Sequence, residues 1–365
     1  MPSEAPLRIV IAGGGTGGHL YPGVAVAREV LSRRPDAVVS FAGTAAGIEA
    51  RVIPRERLPL DLIRSGGLKG KDALGRLRGL GLLPLSALDA WRVLLRRKPS
   101  LVIGVGGYSS GPMVLLAALR RIPTLVLEQN AVPGLTNRLL APFVDAAAVT
   151  YEESLPYFRG KGFVAGNPVR SEFLRIAQSG NRTGSAAAKV LVFGGSQGAH
   201  AINVAMVAAA PKLAAAGERC ELVHQTGERD LAMVREAFRN AGLQARLEPF
   251  FYEMDREMSG ADLLVCRAGA TTLAELTAAG RPAILIPLPT ATDDHQRRNA
   301  EVLRRAGAVD VIDQGDLTGD ALAARILALV ADPARRSVMA AAARRAARPE
   351  AAARIALRAL ALAGA

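Results

Sequence analysis

Aromatic residues make up only 4% of the 365-residue chain, and no segment interleaves them with basic residues. That argues against a surface that stacks nucleic-acid bases. Cysteine is nearly absent: Cys220 and Cys266 are the only two, and neither has other metal-ligand residues around it. A disulfide framework and a thiolate metal site are therefore excluded, and with no signal-peptide pattern ahead of the first apolar run a reducing cytoplasm is expected. Two aspartates separated by one residue occur nowhere. Such paired carboxylates commonly bridge a metal to a nucleotide diphosphate, so no metal and no other cofactor is expected. One stretch of 19 residues, Leu101 to Leu119, carries no charge. Its centre reads Gly104-Val105-Gly106-Gly107-Tyr108-Ser109-Ser110-Gly111-Pro112, which makes it a strand, a loop and a helix start rather than a membrane span.

What the chain has is apolar mass and positive charge. Half of its residues are hydrophobic, and its length favours two lobes over one. The net charge of +13 implies attraction to anions, of which nucleotide phosphates and anionic lipid remain once nucleic acid is set aside. Strand-like runs at Arg8–Ala12, Ala37–Ala42, Leu101–Val105, Thr124–Glu128, Ala146–Thr150 and Phe163–Ala165 alternate with helical ones. Repeated β-then-α units predict a doubly wound parallel sheet whose ligands bind beyond the carboxyl ends of the strands.

The first of those ends carries Gly13-Gly14-Gly15-Thr16-Gly17-Gly18-His19, followed by the helical Val24–Leu31. Bare backbone N–H groups meeting a helix N-terminus favour a phosphate-bearing ligand, and a His beside it can move protons near neutral pH. The spacing Gly13-x-Gly15-x-x-Gly18 satisfies the dinucleotide fingerprint, but Ser40-Phe41-Ala42-Gly43-Thr44 lacks the acid an NAD ribose needs. Turn-forming glycines with a packing role alone are the simpler alternative. Against it, the device recurs: Lys189–Phe193 runs into Gly194-Gly195-Ser196-Gln197-Gly198 and a helix, while the turn at 106–111 is answered by Cys266-Arg267-Ala268-Gly269-Ala270-Thr271-Thr272. Two similar Rossmann-like lobes facing each other across a cleft are expected.

Thr271-Thr272-Leu273-Ala274-Glu275 opens a helix, so its N–H and hydroxyl groups suit a diphosphate and Glu275 a ribose; a capping role for Thr271 with Glu275 is the alternative. Asp293-Asp294-His295-Gln296 follows a strand end, where polar groups suit sugar hydroxyls or simply a solvated helix start. His200 and His224 read as structural or surface groups.

Taken in order, several of these motifs resemble one family. They are Gly14–His19 with Tyr21-Pro22-Gly23, Gly106–Pro112, Glu128-Gln129-Asn130 with Pro133–Asn137, Gly166-Asn167-Pro168-Val169-Arg170, Gly194–Ala199, Cys266–Glu275 and Asp294–Asn299. The family is that of the UDP-N-acetylglucosamine:lipid I N-acetylglucosaminyltransferases of bacterial peptidoglycan synthesis. The resemblance implies the two-lobed GT-B fold, with residues 1–165 as the acceptor lobe, 166–344 as the UDP-N-acetylglucosamine lobe, and 345–365 packing back on the first. It implies an inverting transfer to the C4 hydroxyl of the muramyl sugar of lipid I. Ser196 and Ala270 to Leu273 would hold the diphosphate, with Ala274 in the same turn and Glu275 on the ribose. Arg170, Asn130 and Gln296 would contact nucleotide or sugar, and the Phe251 backbone would read uracil. Thr16, Gly17 and Gly18 would meet the acceptor's pyrophosphate. The catalytic base would be His19, with Glu128 as the alternative.

Arg64 to Lys98 holds nine basic and two acidic residues among leucines and Trp91. That suits peripheral contact with the anionic cytoplasmic leaflet of the inner membrane, where a lipid-linked acceptor resides; an ordinary amphipathic helix is the alternative. Two other function classes compete: another UDP-sugar enzyme such as an epimerase, which would turn over without acceptor, and a non-catalytic UDP-sugar binder, which would release no UDP.

Overall fold

The computed structural model describes residues 6–65, 81–176, 187–195, 198–217, 220–291 and 294–365. The chain folds as two compact units, Met1–Arg170 with Arg348–Ala365, and Ser171–Ala347. The first unit thus runs to Arg170 rather than to 165, and the returning tail starts at 348 rather than 345. The reason lies in contacts inside the first unit. The Arg170 guanidinium sits 4.7 Å from the centre of the Tyr21 ring, and a Cβ at Gly166 would come 2.3 Å from that of Arg348.

The first unit contains strands β1 (Arg8–Gly13), β2 (Val38–Gly43), β3 (Leu60–Leu62), β4 (Leu101–Gly106), β5 (Thr124–Glu128), β6 (Ala146–Val149) and β7 (Gly162–Val164). They form one seven-stranded sheet in the order β3-β2-β1-β4-β5-β6-β7, and every pairing is parallel. Sheet residues buried on both faces read as continuous apolar runs. In β1, Ile9 and Ile11 enter one core together with Val24 and Val30 of the helix Gly17–Arg33, whereas Val10 and Ala12 enter the opposite core with Val93, Leu94 and Val114. Ile355, Ala356, Ala359 and Leu360 of the last helix, Ala351–Leu362, are buried in the first of these cores. Burying Ile355 and Leu360 stabilises that docking by about 1.5–3 kcal/mol each.

Strand β3 was not expected, since three residues, Leu-Asp-Leu, carry no periodic signal. Its Asp61 is 5% exposed, and Arg97 of the helix Leu83–Arg97 donates to both of its oxygens, from Nε at 2.7 Å and Nη2 at 3.0 Å. Arg96 adds a further contact. This fork ties that helix to the edge of the sheet. The uncharged 101–119 stretch divides into β4, a turn and the helix Ser110–Leu119, and among the described residues no helix is long and apolar enough to cross a membrane.

The second unit holds β8 (Ala188–Phe193), β9 (Cys220–Gln225), β10 (Ala245–Glu248), β11 (Leu263–Cys266), β12 (Ala283–Leu285) and β13 (Val309–Val311). Their order, β10-β9-β8-β11-β12-β13, repeats the plan of the first sheet, again with parallel pairings throughout. In each sheet the strand order reverses beside the strand that feeds a glycine turn: β1 next to β4, and β8 next to β11. Such switch points open crevices for ligands at the strands' carboxyl ends.

Candidate functional site

In the first unit the turn after β1 takes φ of +140°, +145° and +83° at Gly13, Gly14 and Gly15. Its tip, Gly15-Thr16, is exposed, and Thr16 precedes the helix Gly17–Arg33 in extended conformation without capping it through its side chain. Gly17, Gly18 and His19 are half-buried in the first turn. The loop is held from beneath by a residue the sequence reading missed. Glu49, wholly buried, accepts from the Gly15 N–H at 2.8 Å, from the Thr44 N–H at 2.7 Å and from the Thr44 hydroxyl at 2.8 Å. A side chain on Gly14, Gly43 or Gly47 would come within 2.5 Å of Glu49, so these glycines make room for the carboxylate. The signal was a Gly-Thr pair at the end of β2 with an acid in the next helix. The Gly15 N–H is therefore occupied from inside the fold.

The His19 ring lies against Gly106 at the end of β4, where a Cβ would come 2.7 Å from Nδ1. Its Nδ1 is 3.3 Å from the Gln129 Oε1, and Gln129 Nε2 donates to the Val105 carbonyl at 3.0 Å. Glu128, next in the chain and 2% exposed, accepts four N–H groups. Its Oε1 takes the Asn130 backbone N–H at 2.9 Å and the Asn130 amide at 3.2 Å, while Oε2 takes the Gly134 N–H at 3.0 Å and the Asn137 amide at 2.8 Å. Burial pushes this carboxyl above its ordinary range against the pull of those donors. The expected residues His19, Glu128, Asn130 and Arg170 thus all belong to the first unit.

In the second unit the loop after β8 runs through Gly194 and Gly195 to Gly198; Ser196, the expected diphosphate contact there, lies outside the described residues. The helix Ala270–Ala279 starts from Gly269, which is in extended conformation and has no side chain to cap it. Thr271 is therefore not the cap. Its first-turn residues Ala270, Thr271 and Thr272 are half-buried at the surface, Ala274 likewise, whereas the Leu273 side chain is buried and can offer a ligand only its backbone. Glu275 is 9% exposed. Gln296, on the helix His295–Arg305, accepts the Leu288 N–H at 3.0 Å, so recognition through this residue falls to its amide NH2. Phe251 donates its N–H to the Gln225 Oε1 at 3.2 Å, and the same amide donates to the Gly195 carbonyl at 2.7 Å. Gln225 so links the glycine loop to the segment expected to read a base.

Beneath that loop, Asn203 donates to the Thr226 carbonyl at 2.7 Å and to Asp230 at 2.8 Å, which turns its oxygen to the His224 Nε2 at 2.9 Å. His224 is fully buried, and desolvation lowers its pKa to about 3. Its role is structural, as the sequence suggested. His200 also meets Asp230, at 2.9 Å. Among the described residues no three His, Cys, Asp or Glu side chains are grouped as metal ligands.

The helix Leu83–Arg97 buries Ser86, Ala90, Val93 and Leu94. Leu88, Trp91 and Leu95, spaced along a second stripe, are 42%, 42% and 47% exposed, and Leu119 nearby is 65% exposed. The Arg120 guanidinium lies 4.6 Å from the Trp91 ring centre, and Arg92 and Arg96 flank the stripe. The solvated face of this helix is thus apolar and basic. Four further leucines of the basic segment, Leu68, Leu74, Leu77 and Leu80, lie outside the described residues.

Residues 9–149 match the Glycosyltransferase family 28 N-terminal domain, and residues 189–355 match the Glycosyltransferase family 28 C-terminal domain. The chain is 48% identical over 353 residues to the UDP-N-acetylglucosamine–N-acetylmuramyl-(pentapeptide) pyrophosphoryl-undecaprenol N-acetylglucosamine transferase of Anaeromyxobacter dehalogenans, covering 96% of this chain and 91% of that one. The enzyme of the same name from Geobacter sulfurreducens is 47% identical over 350 residues, covering 95% and 96%. Among solved structures, Acinetobacter baumannii MurG superposes with a TM-score of 0.79 at 29% identity over 98% of this chain and all of that one. A UDP-GlcNAc 2-epimerase from Neisseria meningitidis reaches 0.70 at 16% identity over 97% of this chain and 100% of that one, a likeness of fold alone.

Proposed function

The chain belongs to glycosyltransferase family 28, and from that premise we propose that it transfers N-acetylglucosamine from UDP-N-acetylglucosamine to lipid I. The acceptor atom is the C4 hydroxyl of the muramyl sugar in undecaprenyl-pyrophosphoryl-MurNAc-pentapeptide, and the anomeric centre inverts. The observation that carries the reading is that both units end a parallel strand in a glycine turn and a helix start bearing an imidazole, but the second unit's, His200, meets the Asp230 carboxylate at 2.9 Å, whereas the first unit's, His19, lies over Gly106 beside a neutral amide, Gln129.

In this reading the second unit binds the donor. The Ser196 loop and the N–H groups of Ala270 to Leu273, with Ala274 in the same turn, meet the diphosphate, Glu275 the ribose, Gln296 the sugar, and the Phe251 backbone the uracil once Gln225 lets go of its N–H. The first unit binds the acceptor, with Thr16, Gly17 and Gly18 at its pyrophosphate and Asn130 and Arg170 reaching the donor. His19 takes the C4 hydroxyl proton as the O4–C1 bond forms; the C1–O bond to the diphosphate breaks and its electron pair leaves with UDP. Helix-terminal N–H groups and arginine offset that charge without a metal. Glu128, both of whose oxygens are already engaged by N–H donors, organises the loop rather than acting as base.

The apolar stripe of Leu88, Trp91 and Leu95 with its arginines supports peripheral binding to the anionic cytoplasmic leaflet, which brings the lipid-linked acceptor within reach. The test is UDP release from UDP-N-acetylglucosamine with and without a lipid I analogue, in EDTA. Release that needs the acceptor and survives EDTA is expected. Epimerisation without acceptor, or no turnover, would overturn the assignment.

A further inference from the structure

Gln129 has no part in the mechanism above, yet its side-chain amide meets the His19 ring at Nδ1, and it is 2% exposed. We propose that Gln129 is a positioning residue: it fixes His19 as the tautomer with the proton on Nδ1, leaving the lone pair on Nε2 to receive the acceptor's proton. The inference rests on His19 being the base.

The argument runs from the Val105 carbonyl. A carbonyl oxygen only accepts, so the Gln129 atom 3.0 Å from it is the amide nitrogen. The amide oxygen is then the atom 3.3 Å from Nδ1, and an oxygen there requires a hydrogen on Nδ1. The opposite tautomer would set two lone pairs against each other. Flipping the amide would only move that clash onto Val105, in a buried place where water cannot relieve it. A neutral imidazole carries one N–H, so Nε2 is the basic nitrogen. Gly106, having no side chain, leaves the space that the imidazole fills.

The experiment is nitrogen NMR of the full chain labelled with 15N-histidine, near neutral pH. There are four histidines, and His19→Ala identifies the His19 signals by their loss. The expected spectrum has a protonated-type Nδ1 and an unprotonated-type Nε2. Gln129→Met keeps the length and removes the acceptor; it should shift His19 toward the Nε2-protonated form and lower kcat about 100-fold, the worth of a well-placed base, with KM for UDP-N-acetylglucosamine unchanged. Gln129→Glu guards against a methionine variant that fails to fold. As a buried carboxylic acid it can donate to Val105 and accept from Nδ1, so it should restore both the tautomer and most of kcat. A wild-type His19 protonated on Nε2 would overturn the proposal, as would a folded Gln129→Met with wild-type His19 signals. Failure of the base assignment looks different: the wild-type spectrum is as expected, but His19→Ala retains its turnover.

Discussion

Replacing Glu49 with alanine strands three donors at once: the Gly15 and Thr44 N–H groups and the Thr44 hydroxyl. Each buried polar group left without a partner costs roughly 1–3 kcal/mol, which puts the ceiling near 9 kcal/mol. Two effects pull the figure down. Water can reach the Gly15 end, whose loop tip is exposed, and removing a buried carboxylate also removes its own desolvation cost. A loss of about 3–5 kcal/mol remains, on the order of 10 °C for a unit of this size. Glu49→Gln is the sharper variant. Its one oxygen can stay on Thr44, but the new NH2 then faces the Gly15 N–H, donor to donor, so about 1–3 kcal/mol is lost, concentrated in the glycine loop. Trp91 is the sole tryptophan and lies in the first unit, so its fluorescence during thermal unfolding follows that unit alone. An alanine variant that melts within about 1 °C of wild type by this probe would refute the view that Glu49 holds the loop.

Three further outcomes follow from the same geometry. Glu128→Gln should lower the melting point by several degrees, about 2 kcal/mol, yet cost less than about tenfold in kcat; a loss of 10²–10⁴ would mark Glu128 as the base instead. Wild-type Trp91 fluorescence should shift to the blue on anionic vesicles, and Leu95→Glu should weaken that binding about tenfold; binding indifferent to anionic lipid and to salt would count against the membrane face. His224 titrates at about 3 in the fold against 6.5 as a free group, so the unfolded chain binds the extra proton. Stability of the second unit should therefore fall as the pH drops from about 6.5 toward 3, by a few kcal/mol, and His224→Phe should flatten that slope; an equal slope in the variant would show that other groups carry it.

Six of the seven strands of the first unit were legible because parallel strands buried on both faces read as unbroken apolar runs, as Ile9–Ala12 and Leu101–Val105 do. The repeat of strand, glycine turn and helix was legible too, and the matching orders of the two sheets are its physical counterpart. What escaped were contacts made to backbone. Glu49 takes two N–H groups besides the Thr44 hydroxyl, and Gln129 bridges the Val105 carbonyl and a ring 110 positions away, so little in the local sequence announces either. Gln129 stood inside a recognised motif, but only the fold brings β4 and β5 side by side and sets its amide between Val105 and His19. Arg170 shows the reverse error of scale: the motif was visible, but which unit it joins depends on its stacking over Tyr21, about 150 positions earlier.

The two switch points are built alike, and Glu49 sets the glycine turn of the first apart. A bare glycine turn at a helix N-terminus attracts anions through its N–H groups. In the first unit one of those groups, Gly15 N–H, is already satisfied by a buried carboxylate, and that negative charge opposes a second one close by. A nucleotide diphosphate held tightly there would have to overcome it. The pyrophosphate of a lipid-linked sugar meets the same repulsion, so any anion at this turn is left to the outer N–H groups near Thr16 to Gly18. In the second unit the helix from Ala270 starts at Gly269, which has no side chain to cap it, and its first turn is partly exposed, so that its N–H groups attract an anion. One fold used twice thus gives helix termini of unequal attraction for anions, and in the first unit Glu49 lowers it. Glu49→Gln, which lifts that charge, should therefore raise the affinity of UDP for the first unit, measurable as a second, weaker UDP site in calorimetry; a single site in both wild type and variant would refute the electrostatic part of this account.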